Sequence, residues 1–221
     1  MTNDLEIAQQ NSIVPMDKHN TYTIHQSGSG TNIGTAQTVE NTTITILLPI
    51  QEFDSNGIQK EISKTINLEY FNLFIITGEQ YVKPYFIVDI KKALTVKEGT
   101  NQDIHNRLAT FTDEAKNEII SYPCIFATEN NRDTLPNSRT QTAQYGFITD
   151  IKQLTNGDLK IYFQKLPSSI PQNVLNESLV ELDIKGNNVI NEFDNPHWAI
   201  KNVNIVEVLK EKGIPLWVQS I

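Results

Sequence analysis

The sequence contains one cysteine, Cys124, among its 221 residues. A single thiol cannot form an intramolecular disulfide, and it cannot supply the several thiolates of the usual structural zinc sites. Such cysteine usage is typical of a reducing compartment, so we expect a cytoplasmic protein. Because Cys124 lies in the apolar run 122–127, we expect it to be a small buried hydrophobe and not a reactive thiol.

Long apolar runs are missing as well. No stretch of the sequence approaches the roughly 20 consecutive apolar residues that a membrane-spanning helix needs. Residues 1–30 also lack the basic start and the apolar run of a secretion signal. We therefore expect no membrane partner for this chain.

Positive charge is scarce, since 18 Lys and Arg residues against 26 Asp and Glu residues give a net charge of -8. A protein that binds nucleic acid irrespective of sequence normally presents a basic face that displaces counterions from phosphates. The longest basic cluster, Lys91 and Lys92 with Lys97 nearby, is too small for such a face. These observations argue against a nucleic-acid partner and favour a protein partner or self-association.

Residue patterns that mark cofactor and catalytic sites are also few. The four histidines, His19, His25, His105 and His197, include no pair with the spacing of a zinc-binding helix. No G-x-S-x-G nucleophile motif occurs, and the glycine-rich segment 28–34 lacks both the spacing of a dinucleotide fingerprint and the lysine of a P-loop. We expect no cofactor, apart from a divalent metal ion if the chain is a nuclease.

Residues 1–42 form a polar leader in which apolar residues are isolated. Within it, Tyr22, Ile24 and Ile33 flank a Gly-Ser-Gly turn, which predicts a short hairpin. A two-stranded ribbon is marginal alone in water, so we expect these three residues to contact the body of the protein, a second copy or a partner. The stretch 26–32 resembles leaders of proteins from bacterial mobile-element and phage-defence operons, and this resemblance implies a setting of that kind.

Residues 43–122 show regular patterns and form the second predicted unit. A turn at 54–57 joins two alternating strands into a hairpin. The dense apolar runs 70–76 and 85–90 predict two more strands, which we expect to lie centrally and to be covered on both faces. From Thr100 to Ile119 the apolar spacing is helical, either as one helix or as two with a restart at Thr112.

Residues 123–221 form the third predicted unit, which is rich in strands. A polar loop over 129–144 leads into the clearest hairpin, whose strands 144–151 and 159–164 are joined by Asn-Gly-Asp. We expect Tyr145, Phe147 and Ile151 to share one face with Leu159, Ile161 and Phe163. The remaining predicted elements are a strand at 124–127, a short helix over 171–179, a strand at 179–184, a strand end at 197–200 and a final helix capped by Asn204.

The fold class predicted from these patterns is α+β. About eight or nine strands come in hairpin-connected runs, and about three helices lie between the runs instead of alternating strictly with the strands. This arrangement predicts antiparallel or mixed sheets with the helices packed on them. No flexible linker marks the boundary near 122–123. The sequence is therefore compatible with two subdomains that share a core and equally with two separate domains.

The sharpest enzymatic hypothesis is a metal-dependent nuclease or another hydrolase. In such a site two acids hold a divalent ion while a lysine stabilises charge at the attacked phosphate. Glu181, Asp183 and Lys185 lie at the end of a predicted strand, and the upstream acid is Asp150 or Asp158 from a neighbouring strand of the hairpin. The Asp-x-Lys spacing occurs four times in the chain, however, which is also the pattern of half-buried strands with one solvated face.

A second hypothesis is a small-ligand sensor. His197 and Trp198 follow a rigid Asn-Pro turn, and Lys201 lies close by among acidic residues. An imidazole and an indole in such surroundings form a ligand site in some proteins. The commoner arrangement is a tryptophan that fills the core while the histidine bonds to local backbone.

The leading hypothesis is a non-enzymatic binding module that acts through a protein partner or through its own copies. The chain lacks strong catalytic motifs, and it has two polar segments, the leader and the loop 129–144, that are suited to contacts. An aromatic platform of Tyr145, Phe147, Tyr162 and Phe163 would bind single strands if basic residues accompanied it. Since basic companions are missing there, we favour a core or a protein-facing surface for these four residues.

Overall fold

The computed structural model describes residues 21–22, 43–53, 59–78, 81–130, 141–187 and 189–216. A small sheet has the order β1-β2-β3, with β1 at Thr21–Tyr22, β2 at Thr43–Phe53 and β3 at Gln59–Asn67. β2 and β3 pair antiparallel, which confirms the predicted hairpin, whereas β1 runs parallel to β2 so that Tyr22 lies beside Ile44. The predicted turn at 54–57 and the leader residues Ile24 and Ile33 lie outside the described residues.

A curled sheet of six strands forms the body of the protein and gives it an α+β fold. Its order is β5-β8-β7-β6-β4-β9, and only β4 and β6 run parallel to each other, so the sheet is mixed. The sheet takes strands from both predicted units 43–122 and 123–221. The strands are β4 (Phe71–Ile75), β5 (Tyr85–Val88), β6 (Pro123–Ala127), β7 (Thr142–Gln153), β8 (Leu159–Pro171) and β9 (His197–Lys201).

Four α-helices lie in the described ranges: α1 (Gln102–Leu108), α2 (Asp113–Ile120), α3 (Gln172–Asn176) and α4 (Ile205–Glu211). The sequence did not decide between one helix and two over 100–119. The structure has two, and the Thr112 hydroxyl caps the second by accepting a bond from the Ala115 N–H. Asn101 caps the first helix, because the Thr100 hydroxyl is buried and accepts a bond from the Ile200 N–H instead. Asn204 caps α4 as predicted.

Each face of the large sheet carries its own hydrophobic core, because successive strand residues point to opposite sides. On the face that we call the α3/α4 face, Leu73, Ile125 and Phe147 pack with Leu175 and Leu209. The opposite α1/α2 face carries a second core that includes Phe74, Phe126, Trp198, Leu108 and Ile119. Cys124 is fully buried in the second core, as its apolar surroundings predict. No helix of the described ranges is long and apolar enough to cross a membrane.

The prediction of two central strands was right for one strand and wrong for the other. All five residues of β4 are buried between β6 and β9. β5 instead forms an edge of the sheet, and its side chains alternate, so Phe86 and Val88 are buried while Ile87 is 50% exposed. An unbroken apolar run therefore marks a buried strand only when packing elements cover both of its faces.

The face shared by the β7–β8 hairpin was predicted wrongly. Ile151 packs with Leu159, Ile161 and Phe163 in the α1/α2 core, but Tyr145 and Phe147 belong to the other core. The pairing register shifts between Ile148 and Asp150. An extra residue in one strand exchanges the faces of all residues beyond it, so strict alternation fails across the bulge.

The segment 179–184 is not the predicted strand but a series of turns. The Leu182 N–H donates to the Ser178 oxygen at 3.0 Å, and the Ile184 N–H donates to the Leu179 oxygen at 2.7 Å. Leu179, Leu182 and Ile184 are buried in the α3/α4 core while Val180 is 90% exposed. This spacing of buried residues fits a winding backbone and not a period of two.

We expect Gly146→Ala to destabilise the protein by about 1–3 kcal/mol, because a methyl group here has no space. Gly146 lies in β7, and a Cβ on it would overlap the carbonyl oxygen of Gln164 on β8. The free energy of unfolding from urea titration, followed by circular dichroism, measures the effect. Gln144→Ala, two residues earlier on the same strand, is the control. Equal free energies of unfolding for the two variants would show that β7 and β8 make room for the methyl group without cost.

Candidate functional site

The side chain of Glu192 is the centre of a buried ionic cluster. Its carboxylate is 4% exposed, and the Lys201 ammonium beside it is fully buried. The Lys201 Nζ lies 2.7 Å from Glu192 Oε2 and 2.8 Å from Oε1. A charge pair this far from water is stable only if the remaining polar atoms around it also have partners.

Backbone groups from distant segments provide most of those partners. The Lys201 Nζ donates to the carbonyl oxygen of Asp183 at 2.8 Å and to that of Gly99 at 3.5 Å. The backbone N–H of Lys185 donates to Glu192 Oε1 at 2.7 Å. Gly99 has a φ of +102°, and a Cβ there would overlap both the ammonium and the carboxylate. The cluster thus joins the segment before α1 to the turns after α3 and to strand β9.

Local sequence explains how the charged residues reach the cluster. Asn191 caps a short 3-10 turn at Glu192–Asp194 by accepting a bond from the Phe193 N–H, and this turn directs Glu192 inward. In β9, His197 and Lys201 occupy alternate positions of one strand face, so they point to the same side of the sheet. Trp198 and Ile200, between them, point to the α1/α2 core.

His197 is the third member of the cluster. Its Nδ1 lies 2.8 Å from the carbonyl oxygen of Asn195, which can only accept, so Nδ1 carries a proton. Its Nε2 lies 3.5 Å from Glu192 Oε2 and has no hydrogen-bond partner among the described residues. A second proton, on Nε2, makes this contact attractive, whereas without it two acceptors face each other.

The pKa values of the two charged groups reflect opposing effects. Burial raises the pKa of Glu192, but His197, Lys201 and the Lys185 N–H together hold this pKa below its ordinary value. Burial lowers the pKa of Lys201, and the carboxylate of Glu192 only partly offsets that effect. Glu192 therefore remains ionised at neutral pH.

The cluster is enclosed, which limits its chemistry. His197 and Lys201 are 0% exposed, so a ligand reaches neither side chain unless the surrounding segments open. A buried pair with backbone partners from several segments fixes the relative positions of those segments. In this conformation the cluster is a structural clamp at one edge of the sheet.

Residues from two separately predicted sites meet at this clamp. The structure brings together His197 and Lys201 of the predicted ligand site with Asp183 and Lys185 of the predicted nuclease site. Asp183 takes part through its backbone oxygen, while the Lys185 Nζ donates to the Val96 oxygen at 3.1 Å. Trp198 lies on the opposite face of the sheet, where its Nε1 donates to Asn72 Oδ1 at 3.0 Å.

The remaining predicted nuclease residues have other partners. The carboxylate of Asp150 lies 3.4 Å from the Lys152 ammonium on β7, and that of Glu181 lies 2.7 Å from the Lys212 ammonium after α4. Across the described ranges, no three His, Cys, Asp or Glu side chains are grouped closely enough to hold a metal ion. The nuclease hypothesis and its divalent metal stay predictions.

A second candidate site is the part of the α3/α4 face near β5, where Ile87 and Lys152 are exposed and Tyr85, Lys160 and Tyr162 are half-buried. We call it the open face and define it by Tyr85, Ile87, Lys152, Lys160 and Tyr162. Their neighbours Phe86, Ile151 and Ile161 belong to the α1/α2 core, so the five side chains point away from that core. The prediction that Tyr162 has no basic companions was wrong, because Lys152 and Lys160 lie beside its ring. Tyr85 and Ile87 were missed because 85–90 was predicted to be a central strand.

Aromatic and positively charged groups alternate on the open face. The Lys160 ammonium lies 3.8 Å from the ring centre of Tyr85 and 5.0 Å from that of Tyr162. The Lys152 ammonium lies 5.1 Å from the ring centre of Tyr162. Lys152 and Lys160 are direct cross-strand neighbours, an arrangement that is unfavourable for like charges. The open face is thus a basic and aromatic surface on an acidic protein.

An amide network lies at the base of the predicted contact loop 129–144, of which residues 131–140 are outside the described residues. Asn130 and Asn176 donate to each other's side-chain oxygens at 3.1 and 2.9 Å. Gln172 donates to Asn130 Oδ1 at 2.9 Å, and Gln141 donates to Thr128 Oγ1 at 2.8 Å. This network fixes both ends of the loop on the body of the protein.

Comparison of the chain with protein-family models, with curated proteins and with solved structures gives no match.

We expect Glu192→Gln to destabilise the protein by about 3–5 kcal/mol, because it leaves the buried Lys201 charge without a counter-charge. Urea denaturation at pH 7 measures the free energy of unfolding. The double variant Glu192→Gln with Lys201→Met removes both charges, and we expect it to be more stable than the single variant. If the double variant is as unstable as the single one, the two charges do not depend on each other.

The contribution of Glu192 to stability also has a defined pH dependence. The pKa of its carboxyl group is lower in the folded protein than the ordinary value of 4.5, so the stabilisation is fully present above about pH 4.5. It is lost as the pH falls through the folded-state pKa, because the unfolded chain takes up the proton first. We therefore expect the stability difference between wild type and Glu192→Gln to narrow below pH 4.5. A difference that stays constant down to pH 2.5 would contradict this assignment.

Proposed function

We propose that this protein is a non-enzymatic binding module and that its open face docks a protein partner. One observation carries the proposal: in the described part of the chain, aromatic, aliphatic and basic side chains lie together on the open face and are exposed or half-buried. Aromatic residues are enriched in the centre of protein interfaces, and charged residues such as lysine belong to the polar rim around it.

The charges of the open face indicate what kind of partner fits. Lys152 and Lys160 lie side by side, and Asp150, 3.4 Å from Lys152, offsets part of their charge. A carboxylate from a partner, placed between the two ammonium groups, would relieve their mutual repulsion. The partner that we propose is therefore a protein with an acidic patch.

Tyrosine and lysine are organised on this surface before any partner arrives. The ring centres of Tyr85 and Tyr162 lie 5.8 Å apart on paired strands, and the Lys160 ammonium lies above the Tyr85 ring. Side chains held on a rigid sheet lose less conformational freedom on binding than side chains on a loop. The ammonium also occupies the Tyr85 ring face, so it competes with the stacking of a nucleic-acid base and favours a carboxylate partner.

The wider setting follows from the sequence and belongs to this proposal. A cytoplasmic location agrees with the single cysteine. The leader and the loop 129–144 are additional contact elements, and the resemblance of segment 26–32 suggests a mobile-element or phage-defence setting with an antiviral role. No described contact favours the nuclease or the small-ligand sensor over the binding module.

Affinity capture from cells that naturally contain the protein, followed by titration of the purified candidate, tests the proposal. We expect the double variant Lys152→Glu with Tyr162→Ser to weaken partner binding about 30-fold or more, as is usual when an aromatic anchor and a favourable charge are lost. Both substitutions lie away from the outer edge of β5.

Lys210→Glu, an exposed lysine on α4, is the matched control and leaves the open face intact. We expect this control to bind as wild type does. If the purified partner binds the open-face variant as tightly as it binds wild type, or if the control loses binding equally, the open face is not the docking surface.

A further inference from the structure

We infer that β5 is a self-association edge, at which a second copy of this chain pairs its own β5 antiparallel to the first. The inference rests on the proposed function in one respect, since self-association is a form of protein binding. The pairing joins the two six-stranded sheets into one continuous sheet and extends the open face across both copies.

The first step concerns the backbone groups of β5. Within the described chain β5 pairs with β8 alone, and the Phe163 N–H donates to the Pro84 oxygen at 3.2 Å. Pro84, Phe86 and Val88 therefore direct their backbone groups toward β8. Because these directions alternate along a strand, Tyr85 and Ile87 present their N–H and C=O groups to the outer edge. Pro84 lacks an N–H only on the inner side, so it does not obstruct outer pairing.

The second step concerns register. Residues whose backbone groups face the outer edge have to pair with residues of the same kind in the second copy. The two-fold axis of the dimer therefore passes through the position of a single residue, in β5 or next to it. With the axis at Phe86, Tyr85 lies opposite the partner's Ile87, and Lys83 lies opposite the partner's Asp89. With the axis at Ile87, Lys83 would lie opposite the partner's Lys91, which is in the 3-10 turn Ile90–Lys92 and outside the strand. Charge complementarity therefore selects the axis at Phe86.

The side chains that meet across the β5–β5 contact are complementary in charge and pair favourably. Lys83 and Asp89 are exposed at the two ends of β5, so the symmetric dimer forms the oppositely charged pair twice. Tyr85 and the half-exposed Ile87 meet their counterparts on the open face, and an aromatic residue opposite a β-branched one is a favourable cross-strand pair. An exposed hydrophobic edge strand that has no specific partner promotes aggregation.

The contact is short, since β5 has four residues. An interface of this length buries less than the roughly 800 Å² per partner of a standard complex, so we expect dissociation constants of about 10–100 µM. Sedimentation equilibrium from about 1 to 500 µM covers this range. A protein that stays monomeric throughout this range overturns the inference.

Two variants test the edge and its register. We expect Ile87→Lys to abolish the dimer in the accessible range and Lys83→Glu to weaken it about ten-fold, because it faces the partner's Asp89 with a like charge. The matched control is Lys97→Glu, which changes the net charge equally at a side chain that is 89% exposed. Lys97 lies near Gly99, at the opposite edge of the sheet. Equal weakening by Lys83→Glu and by the control overturns the assigned register.

Disulfide trapping gives an independent test, because the native Cys124 is buried and does not compete. Opposite residues of a hydrogen-bonded antiparallel pair have Cα atoms about 5.5 Å apart, which a disulfide can span. Residues offset by two positions are about 7–8 Å apart, which it cannot. We therefore expect a mixture of tagged Tyr85→Cys and untagged Ile87→Cys to give mainly the mixed disulfide. Equal amounts of mixed and like-with-like products overturn the register.

The results separate this inference from the proposed function. Self-association alone is overturned if the chain is monomeric and the mixed and like-with-like disulfides form in equal amounts. The docking proposal still stands in that case if the double variant Lys152→Glu with Tyr162→Ser binds the purified partner more weakly than wild type does. If the chain dimerises through β5 and no partner depends on the open face, the docking proposal fails and the inference stands.

Discussion

The buried ammonium of Lys201 needs a carboxylate beside it, because an unpaired charge in the interior costs several kcal/mol. That requirement fixes the turn that carries Glu192 and also the Gly99 backbone, which leaves no room for a side chain. The segment before α1 is thereby held along the outer side of β9. There Ala93 bridges to Trp198, and the Thr100 hydroxyl accepts a bond from Ile200. One edge of the sheet is closed by these contacts.

The two edges of the sheet consequently differ. The β9 edge is covered by backbone bridges and by the ionic cluster, whereas β5 at the other edge pairs with β8 alone in the described chain. The open face also lies toward the β5 side, where Ile87 and Lys152 are exposed. The open face and the β5 edge thus lie on the side of the sheet away from the buried ionic cluster. Substitutions on these two surfaces therefore leave the cluster and the core intact.

Local signals in the sequence predicted much of the fold, because they act over a few residues. The Asn204 cap, the Asn-Gly-Asp hairpin turn and the burial of Cys124 needed no knowledge of the rest of the chain. The exposure of Ile87 depends on which strands become edges, and the faces of Tyr145 and Ile151 depend on a bulge in the pairing register. The alternation of His197 and Lys201 along a strand was visible, but their meeting with Glu192 and Gly99 follows only from the tertiary arrangement.

The strand order also bears on how the chain folds during synthesis. β4 lies between β6 and β9, so one of its edges pairs with residues 197–201, about 130 positions later in the chain. Pairings between such distant segments form late, because the entropy of closing the intervening loop has to be offset first. Until residues 197–201 have left the ribosome, one side of β4, in which four of the five residues are apolar, is unpaired. We therefore expect an incomplete chain to expose this unpaired strand edge, which favours aggregation until β9 pairs with β4.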